Sequence, residues 1–526
     1  MKDEMRSFLR KLTASTFKAS LFLAVIPAFA QTNPFVLEEA TVESIHAAFA
    51  NNTLTCGSLV KSYLGRIEAY DKQGPTLRAI LTINPQALNL AATLDRQYKE
   101  RKGRVGSLHC IPIILKDNFN TFDMPTSGGN VAMKSSQPSA DAFTVDRMRQ
   151  AGAIILAKSN LQEFARGGVS ISSLGGQVLN PYDLTRTPGG SSGGTGAAIA
   201  SNFAVLGTGS DTGQSIRSPA SANSLVGVRP TRGLVSRVGV IPASLTQDEV
   251  GPIARNVKDA AHLLDVMVGY DPEDPITAFG IGRHPGSYAA GLNANALKGA
   301  RIGVMENLYG KEERHAEVNQ VMERVIKAME AKGAAVVRFT LRAYDTLAPV
   351  IPTDRLEART SMDMYFAKLG SAAPVTSFRQ LVDSKTASPD IQKLLEAEIA
   401  VEDGMNTPQY KDRMLNRDKL RLAVSAKLAE LKLDAILYPE QKILVAPTGQ
   451  PDQPERNGTL SNGTGFPAVT FQGGFSTPSA TAPLGIPVGA ELLGRDYSEP
   501  LLLSLAYSFE QATKTRKPPL STPALR

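Results

Sequence analysis

The chain has 526 residues, 42% of them hydrophobic, with 44 glycines and a formal net charge of +7. That composition excludes a disordered chain and fits a globular α/β protein. The charge is mild and scattered, so it argues against a nucleic-acid partner or an anionic membrane surface.

Residues 1–30 read as a secretory signal peptide. Lys2, Arg6, Arg10, Lys11 and Lys18 make a basic start, residues 19–26 an apolar core, and Ala28-Phe29-Ala30 a small-x-small cleavage site before Gln31. The apolar run is shorter than a spanning helix needs. The expectation is an exported protein, periplasmic or secreted, with no stable membrane insertion after cleavage. Cys56 and Cys110 are the only cysteines. They can pair in an oxidising compartment. Nothing in the sequence brings them together, and two buried free thiols are the favoured expectation. No Cys/His cluster has zinc-ligand spacing, so neither metal nor cofactor is implied.

Residues 38–71 predict two amphipathic helices, with Thr41 and Thr55 as candidate caps. A strand over 79–83 is followed by a helix to about 102, with Asn84 as cap and Pro85 in its first turn. Residues 111–115 are continuously apolar and suit a buried strand ending at Lys116. A helix over 143–152 and a strand over 153–157 follow, and residues 158–165 open a further helix.

Two glycine-rich turns come next. Gly189-Gly190-Ser191-Ser192-Gly193-Gly194 leads into a short buried helix over 197–200. Residues 204–207 suit a buried strand, and Gly209-Ser210-Asp211-Thr212-Gly213-Gln214-Ser215-Ile216-Arg217 forms the second turn. A nucleophile on a sharp turn after a buried strand lets backbone N–H groups converge on an oxyanion.

Beyond the turns, residues 216–225 read as a helix and 227–240 as a glycine-punctuated loop or hairpin. Residues 270–295 read as a linker or surface loop. Strands are expected at 301–305 and 334–338 around a helix at 312–332. A charged helical segment covers about 356–431. Strands at 434–438, 467–471 and 486–493 and a helix over 500–512 close the chain. The alternation implies a largely parallel or mixed sheet with helices on both faces, in one compact domain over residues 31–526.

The turns resemble the defining stretch of the amidase signature family, Gly-Gly-Ser-Ser-Gly-Gly followed by Gly-Ser-Asp-Thr-Gly-x-Ser-Ile-Arg-x-Pro-Ala. That family uses a Ser–cis-Ser–Lys triad, its lysine lying in a Pro-Ile-x-x-Lys-Asp-Asn segment. Here that segment is residues 112–118. The spacing agrees: 24 residues separate Ser191 from Ser215, and 99 separate Lys116 from Ser215. Residues 59–71, 158–165, 180–183 and 465–518 resemble their family counterparts as well. The resemblance implies an α/β fold, one large domain with a mixed, mostly parallel central sheet covered by helices on both faces. It implies Ser215 as nucleophile, Ser191 as proton relay and Lys116 as base. The backbone N–H groups of Thr212, Gly213, Gln214 and Ser215 would form the oxyanion hole, with Ser192, Asp211 and Arg217 in support. Gln214 departs from the pattern, which often has glycine there, and a positive φ at that position would be unfavourable.

Rival readings are weaker. A Ser-His-Asp hydrolase needs a histidine and a Gly-x-Ser-x-Gly elbow, and Ile216-Arg217 follows Ser215 where x-Gly belongs. Residues 189–196 lack the Gly-Lys-Ser/Thr ending of a phosphate loop. Within the family, a component of a tRNA-dependent amidotransferase conflicts with the export signal. An inactive binding protein on the same scaffold conflicts with the intact Lys116, Ser191 and Ser215. The expected partner is a small-molecule or peptide amide. A homodimer is left open.

Overall fold

The computed structural model describes residues 35–370 and 373–525. The expected signal peptide therefore lies outside the described residues. Val36–Arg526 forms one compact unit. Among the described residues no helix is long and apolar enough to cross a membrane.

Thirteen strands are present among the described residues: β1 (Ile80–Ile83), β2 (Pro112–Lys116), β3 (Ile154–Ser159), β4 (Ile171–Ser172), β5 (Gly176–Gln177), β6 (Leu206–Asp211), β7 (Val226–Arg229), β8 (Glu249–Ala254), β9 (Arg301–Met305), β10 (Ala335–Phe339), β11 (Ala435–Pro439), β12 (Ala468–Phe475) and β13 (Pro487–Leu493). Eleven make one sheet, in the order β1-β3-β2-β6-β8-β7-β12-β13-β11-β9-β10, while β4 and β5 form a small hairpin. The sheet is mixed, as expected, but not mostly parallel. Antiparallel pairings outnumber parallel ones six to four. The parallel pairs form two groups, β3-β2-β6 and β11-β9-β10, and an antiparallel run from β6 to β11 joins them.

Every residue of β2, β3, β6, β7, β8, β11 and β13 is buried. Such strands cannot alternate apolar and polar residues, because both faces are covered. β10, at the sheet edge, is largely solvent-facing.

Thr41 and Thr55 both cap as expected, each closing a capping box on the helices Val42–Ala50 and Cys56–Ile67. Leu59, Tyr63 and Ile67 are fully buried on the second of these. The helix after β1 starts later than expected, at Ala87, with Gln86 as cap. Asn84 instead closes a turn by accepting from the Gln86 N–H, and its amide donates to Ile155 O. Lys158 and Ser159 do not open a helix. They finish β3, and only a single 3-10 turn, Glu163–Ala165, follows. The stretch 227–240, read as a loop or hairpin, opens within β7, which pairs antiparallel with β8.

Cys56 and Cys110 are joined in a disulfide, with Cα atoms 5.7 Å apart. This overturns the free-thiol expectation. The link ties the first turn of the helix Cys56–Ile67 to the approach to β2, 54 residues on. Closing a loop of that length is worth about 2–4 kcal/mol. A Cys56→Ala/Cys110→Ala double variant is expected to lose that much in a urea unfolding curve. An unchanged midpoint would show the link to be dispensable.

Early and late segments of the described residues meet. Arg66, fully buried, donates to Glu38 Oε1 (2.7 Å), Thr522 O (2.8 Å) and Pro523 O (2.9 Å). Arg516 pairs with Glu39 at 2.6 Å.

The charged helical segment is realised as Asp354–Leu369, Phe378–Asp383, Pro389–Ile399 and Pro408–Glu430. Met362, Phe366, Phe378 and Leu395 share one apolar cluster with Met133, Phe164 and Ile241 of the sheet's surroundings. That packing sets the segment beside the two serine-bearing turns.

Candidate active site

β2 delivers Lys116 into the interior, where its side chain is fully buried. Nζ lies 2.7 Å from Ser191 Oγ and 2.8 Å from Ser210 Oγ, with Ser210 O at 3.3 Å. Among the described residues no carboxylate forms an ion pair with it. Burial disfavours the ammonium, and the more distant Asp211 and Asp248 do not offset this, so its pKa falls to about 7. An amine that is half neutral at pH 7 and touches a serine hydroxyl can accept that hydroxyl's proton.

β3 carries a second buried lysine, Lys158, directly beside β2. Its Nζ lies 3.1 Å from Asp117 Oδ1. Burial lowers this amine too, but Asp117 opposes the shift. Asp117 thus faces Lys158 and leaves Lys116 unpaired, as alternation along an extended chain requires. The two lysines differ in partner, not in burial.

Ser191 follows a cis Gly190–Ser191 peptide. Its carbonyl accepts from the Gln162 N–H at 2.8 Å. Ser170 staples the turn: its hydroxyl donates to Gly189 O (2.8 Å) and accepts from the Gly193 N–H (3.0 Å). Gly190 is needed because a Cβ there would lie 2.7 Å from the Gly168 carbonyl carbon. The Ser192 N–H donates to Ser215 O at 3.3 Å, which joins the two turns.

Ser215 lies on the turn between β6 and the helix Arg217–Ala222. It borders a cavity of about 320 Å³, whose wall includes Thr212, Gly213 and Gln214. Among the described residues, no protein acceptor takes the N–H groups of Thr212, Gly213, Gln214 or Ser215. Four uncommitted donors beside a cavity can bind an oxyanion. Gln214 does not have a positive φ, so a side chain at that position carries no backbone penalty.

Asp211 and Arg217 brace this turn from beneath, and both are fully buried. Asp211 Oδ2 accepts from the Ile216 N–H (3.1 Å) and from Arg217 Nε (3.0 Å). Arg229 pairs with Asp211 Oδ1 at 2.8 Å. Burial alone would raise the Asp211 carboxyl, but Arg217 and Arg229 overrule it and hold it at about 2. Arg217 Nη1 also reaches Glu491 Oε1 of β13 at 2.7 Å, and Thr470 of β12 and Tyr438 of β11 donate to the same carboxylate. The turn is therefore anchored across the antiparallel run of the sheet.

The model of the family described as Amidase matches residues 58–503. The chain belongs to the amidase family. A probable amidase of Arabidopsis thaliana is 33% identical over 93% of this chain and 93% of its own length. A subunit of the glutamyl-tRNA(Gln) amidotransferase of Alkaliphilus metalliredigens is also 33% identical, over 90% and 96%. The solved peptide amidase of Stenotrophomonas maltophilia superposes with a TM-score of 0.83 at 36% identity, covering 92% of this chain and 99% of that one. This amidase-family member is an amide C–N hydrolase with the family's α/β fold.

The structure places the residues expected of this site on or beside the two turns, with Lys116 touching Ser191, while the Ser215 hydroxyl makes no hydrogen bond to Ser191 among the described residues. Lys116, Ser191, Ser192, Asp211, Thr212, Gly213, Gln214, Ser215 and Arg217 converge on the two turns. Several of their partners carry no mark in the sequence. Ser210 lies within the motif and touches Lys116, but only its packing reveals that. Asn118 Nδ2 donates to Ser210 Oγ at 2.9 Å. Ser170 and Glu491 are distant in sequence and carry no motif.

Proposed function

We propose that this amidase cleaves carboxylic amides through a Ser215 acyl-enzyme. The observation that carries the reading is the 2.7 Å contact between a buried amine of pKa about 7 and the Ser191 hydroxyl. As a neutral amine, Lys116 offers its N–H bonds to Ser210 and turns its lone pair to Ser191. Ser215 Oγ attacks the carbonyl carbon while Ser191 takes the Ser215 proton and gives its own to Lys116. The oxyanion sits on the N–H groups of the 212–215 turn. Ser191 then protonates the departing nitrogen, and water repeats the cycle on the acyl-enzyme.

The cavity supports a polar acyl group. Its wall carries Arg166 paired with Glu398 at 2.6 Å and Arg456 paired with Asp452 at 2.9 Å, with Asp354 and Arg355 beside them. The likeness to a peptide amidase favours C-terminal peptide amides as substrates. A panel of peptide amides, short acyl amides, aryl amides and long-chain amides tests this by ammonia or amine release. Peptide amides should rank first. A clear preference for long-chain amides would sink the assignment.

Export is part of the reading. The basic, apolar and Ala-x-Ala order of residues 1–30 supports it, and so does the Cys56–Cys110 disulfide, since such links persist in oxidising compartments. It favours a free-standing hydrolase over an amidotransferase component, whose charged tRNA is cytosolic. Intact-mass measurement of secreted material should place the N-terminus at Gln31. A membrane fraction still carrying residues 1–30 would contradict it.

A further inference from the structure

The turn that carries the four free N–H groups is gripped from one side by the segment Gly458 and Thr459–Thr464, the latter a short helix. Two hydrogen bonds cross between them in opposite directions. Gln214 reaches over, and its Oε1 accepts from the Gly458 N–H at 3.0 Å. Asn462 reaches back, and its Nδ2 donates at 3.1 Å to Gly213 O, which also accepts from Arg217 Nη2 at 2.5 Å. The approach is so close that a Cβ on Gly458 would stand 2.2 Å from Gly213 O and 2.7 Å from Gln214 Cβ. Asn462 is itself held: its carbonyl accepts from Arg417 Nη2 at 2.9 Å, and Arg417 Nη1 is fixed on Thr246 Oγ1 at 2.8 Å.

The Gly213–Gln214 peptide is trans and planar, so its C=O and N–H point opposite ways. Drawing the Gly213 carbonyl onto Asn462 and Arg217 turns the Gln214 N–H the other way, where no protein acceptor takes it among the described residues. A peptide plane free to rotate would lose that alignment, and a misaligned donor contributes little to an oxyanion.

We propose that Gln214 and Asn462 are positioning residues, a two-point clasp that fixes the Gly213–Gln214 peptide so that its N–H stays aimed at the developing oxyanion. The proposal rests on the reading of Ser215 as nucleophile. It also gives the departure at Gln214 a use: where glycine stands at this position, the contact to Gly458 is absent and the peptide is held only at the Gly213 carbonyl, by Asn462 and Arg217. Through Arg417, on the helix Pro408–Glu430, the clasp ties the charged helical segment to the reacting centre.

The test compares Asn462→Ala and Gln214→Gly with the unaltered chain and with Ser215→Ala. A peptide amide serves as substrate and the aldehyde of the same acyl sequence as inhibitor, since its hydrate or hemiacetal places an oxygen where the oxyanion forms. Loss of one oxyanion donor costs about 10²–10³ in kcat. Misaligning one should therefore lower kcat about 10- to 100-fold in Asn462→Ala, and less in Gln214→Gly. KM should stay near the unaltered value, inhibition by the aldehyde should weaken in step with kcat, and the melting temperature should hold. If Asn462→Ala does not fold, Gln214→Gly carries the same readouts. A raised KM at unchanged kcat would make these residues substrate contacts and overturn the proposal. So would a kcat loss with undiminished aldehyde inhibition, or no change at all. An active Ser215→Ala protein would instead remove the nucleophile assignment on which the proposal stands.

Discussion

Ser215→Ala is expected to reduce amide hydrolysis by roughly 10⁴-fold or more, the scale seen when a serine hydrolase loses its nucleophile. Among the described residues the Ser215 hydroxyl has no hydrogen-bond partner within the protein, and the residue is buried, at 5% exposure. Removing one oxygen there leaves no group unpaired and creates almost no cavity. The melting temperature should therefore stay the same while turnover vanishes, which separates a chemical role from a structural one. A fluorophosphonate should add its mass to the unaltered chain at Ser215 and not to the variant. Retained turnover in Ser215→Ala would force the nucleophile to be sought elsewhere.

Lys116 carries the second large effect. Its amine has a pKa of about 7, against about 10.4 for a free lysine. The neutral form is the base, so activity should rise with pH through about 7 and remain high into the alkaline range. The same shift acts on stability. The folded-state pKa lies below the unfolded one, so between about pH 7 and pH 10.4 the unfolded chain binds more protons than the native chain. Stability from this group therefore rises with pH across that window, and the burial penalty is fully present below it. Lys116→Ala should lose nearly all activity. Lys116→Arg should not restore it, because a guanidinium stays protonated and cannot take a proton from Ser191. Lys116→Met should be inactive yet more stable than the unaltered chain at pH 6, read by thermal unfolding. Near-normal turnover in Lys116→Arg at neutral pH would end the assignment of Lys116 as base.

The site was more legible in the sequence than the fold around it. Lys116, Ser191 and Ser215 sit in short segments that resemble the family's motifs, and the structure sets those segments side by side. The first two helices carried their own caps, Thr41 and Thr55, and needed no tertiary information. Other features depended on packing. β8 contains Gly251 and Pro252, residues that argue against a central strand, yet it lies between β6 and β7. Its antiparallel pairings, together with those that follow, are what make the sheet mixed rather than mostly parallel. Asn84 has the composition of a helix cap but spends its side chain on Ile155 and on a local turn, which delays the helix to Ala87. Lys158 looks like the start of a polar helix until Asp117 is found opposite it. The disulfide could not be read at all, because no local pattern brings Cys56 and Cys110 within 5.7 Å. Partners such as Glu491, 274 residues beyond Arg217, are a property of topology alone.

The contacts between residues 38–66 and 516–523 span nearly the whole length of the described residues. Arg66 and Glu39 lie early in the described residues, whereas Arg516, Thr522 and Pro523 lie late in them. Without residues 516–523, Arg66 would keep Glu38 and Ser201 as acceptors but lose Thr522 and Pro523, and Glu39 would lose Arg516. The Arg66–Pro523 contact joins positions 457 residues apart, so closing it costs far more chain entropy than the local contacts of the helices and hairpins.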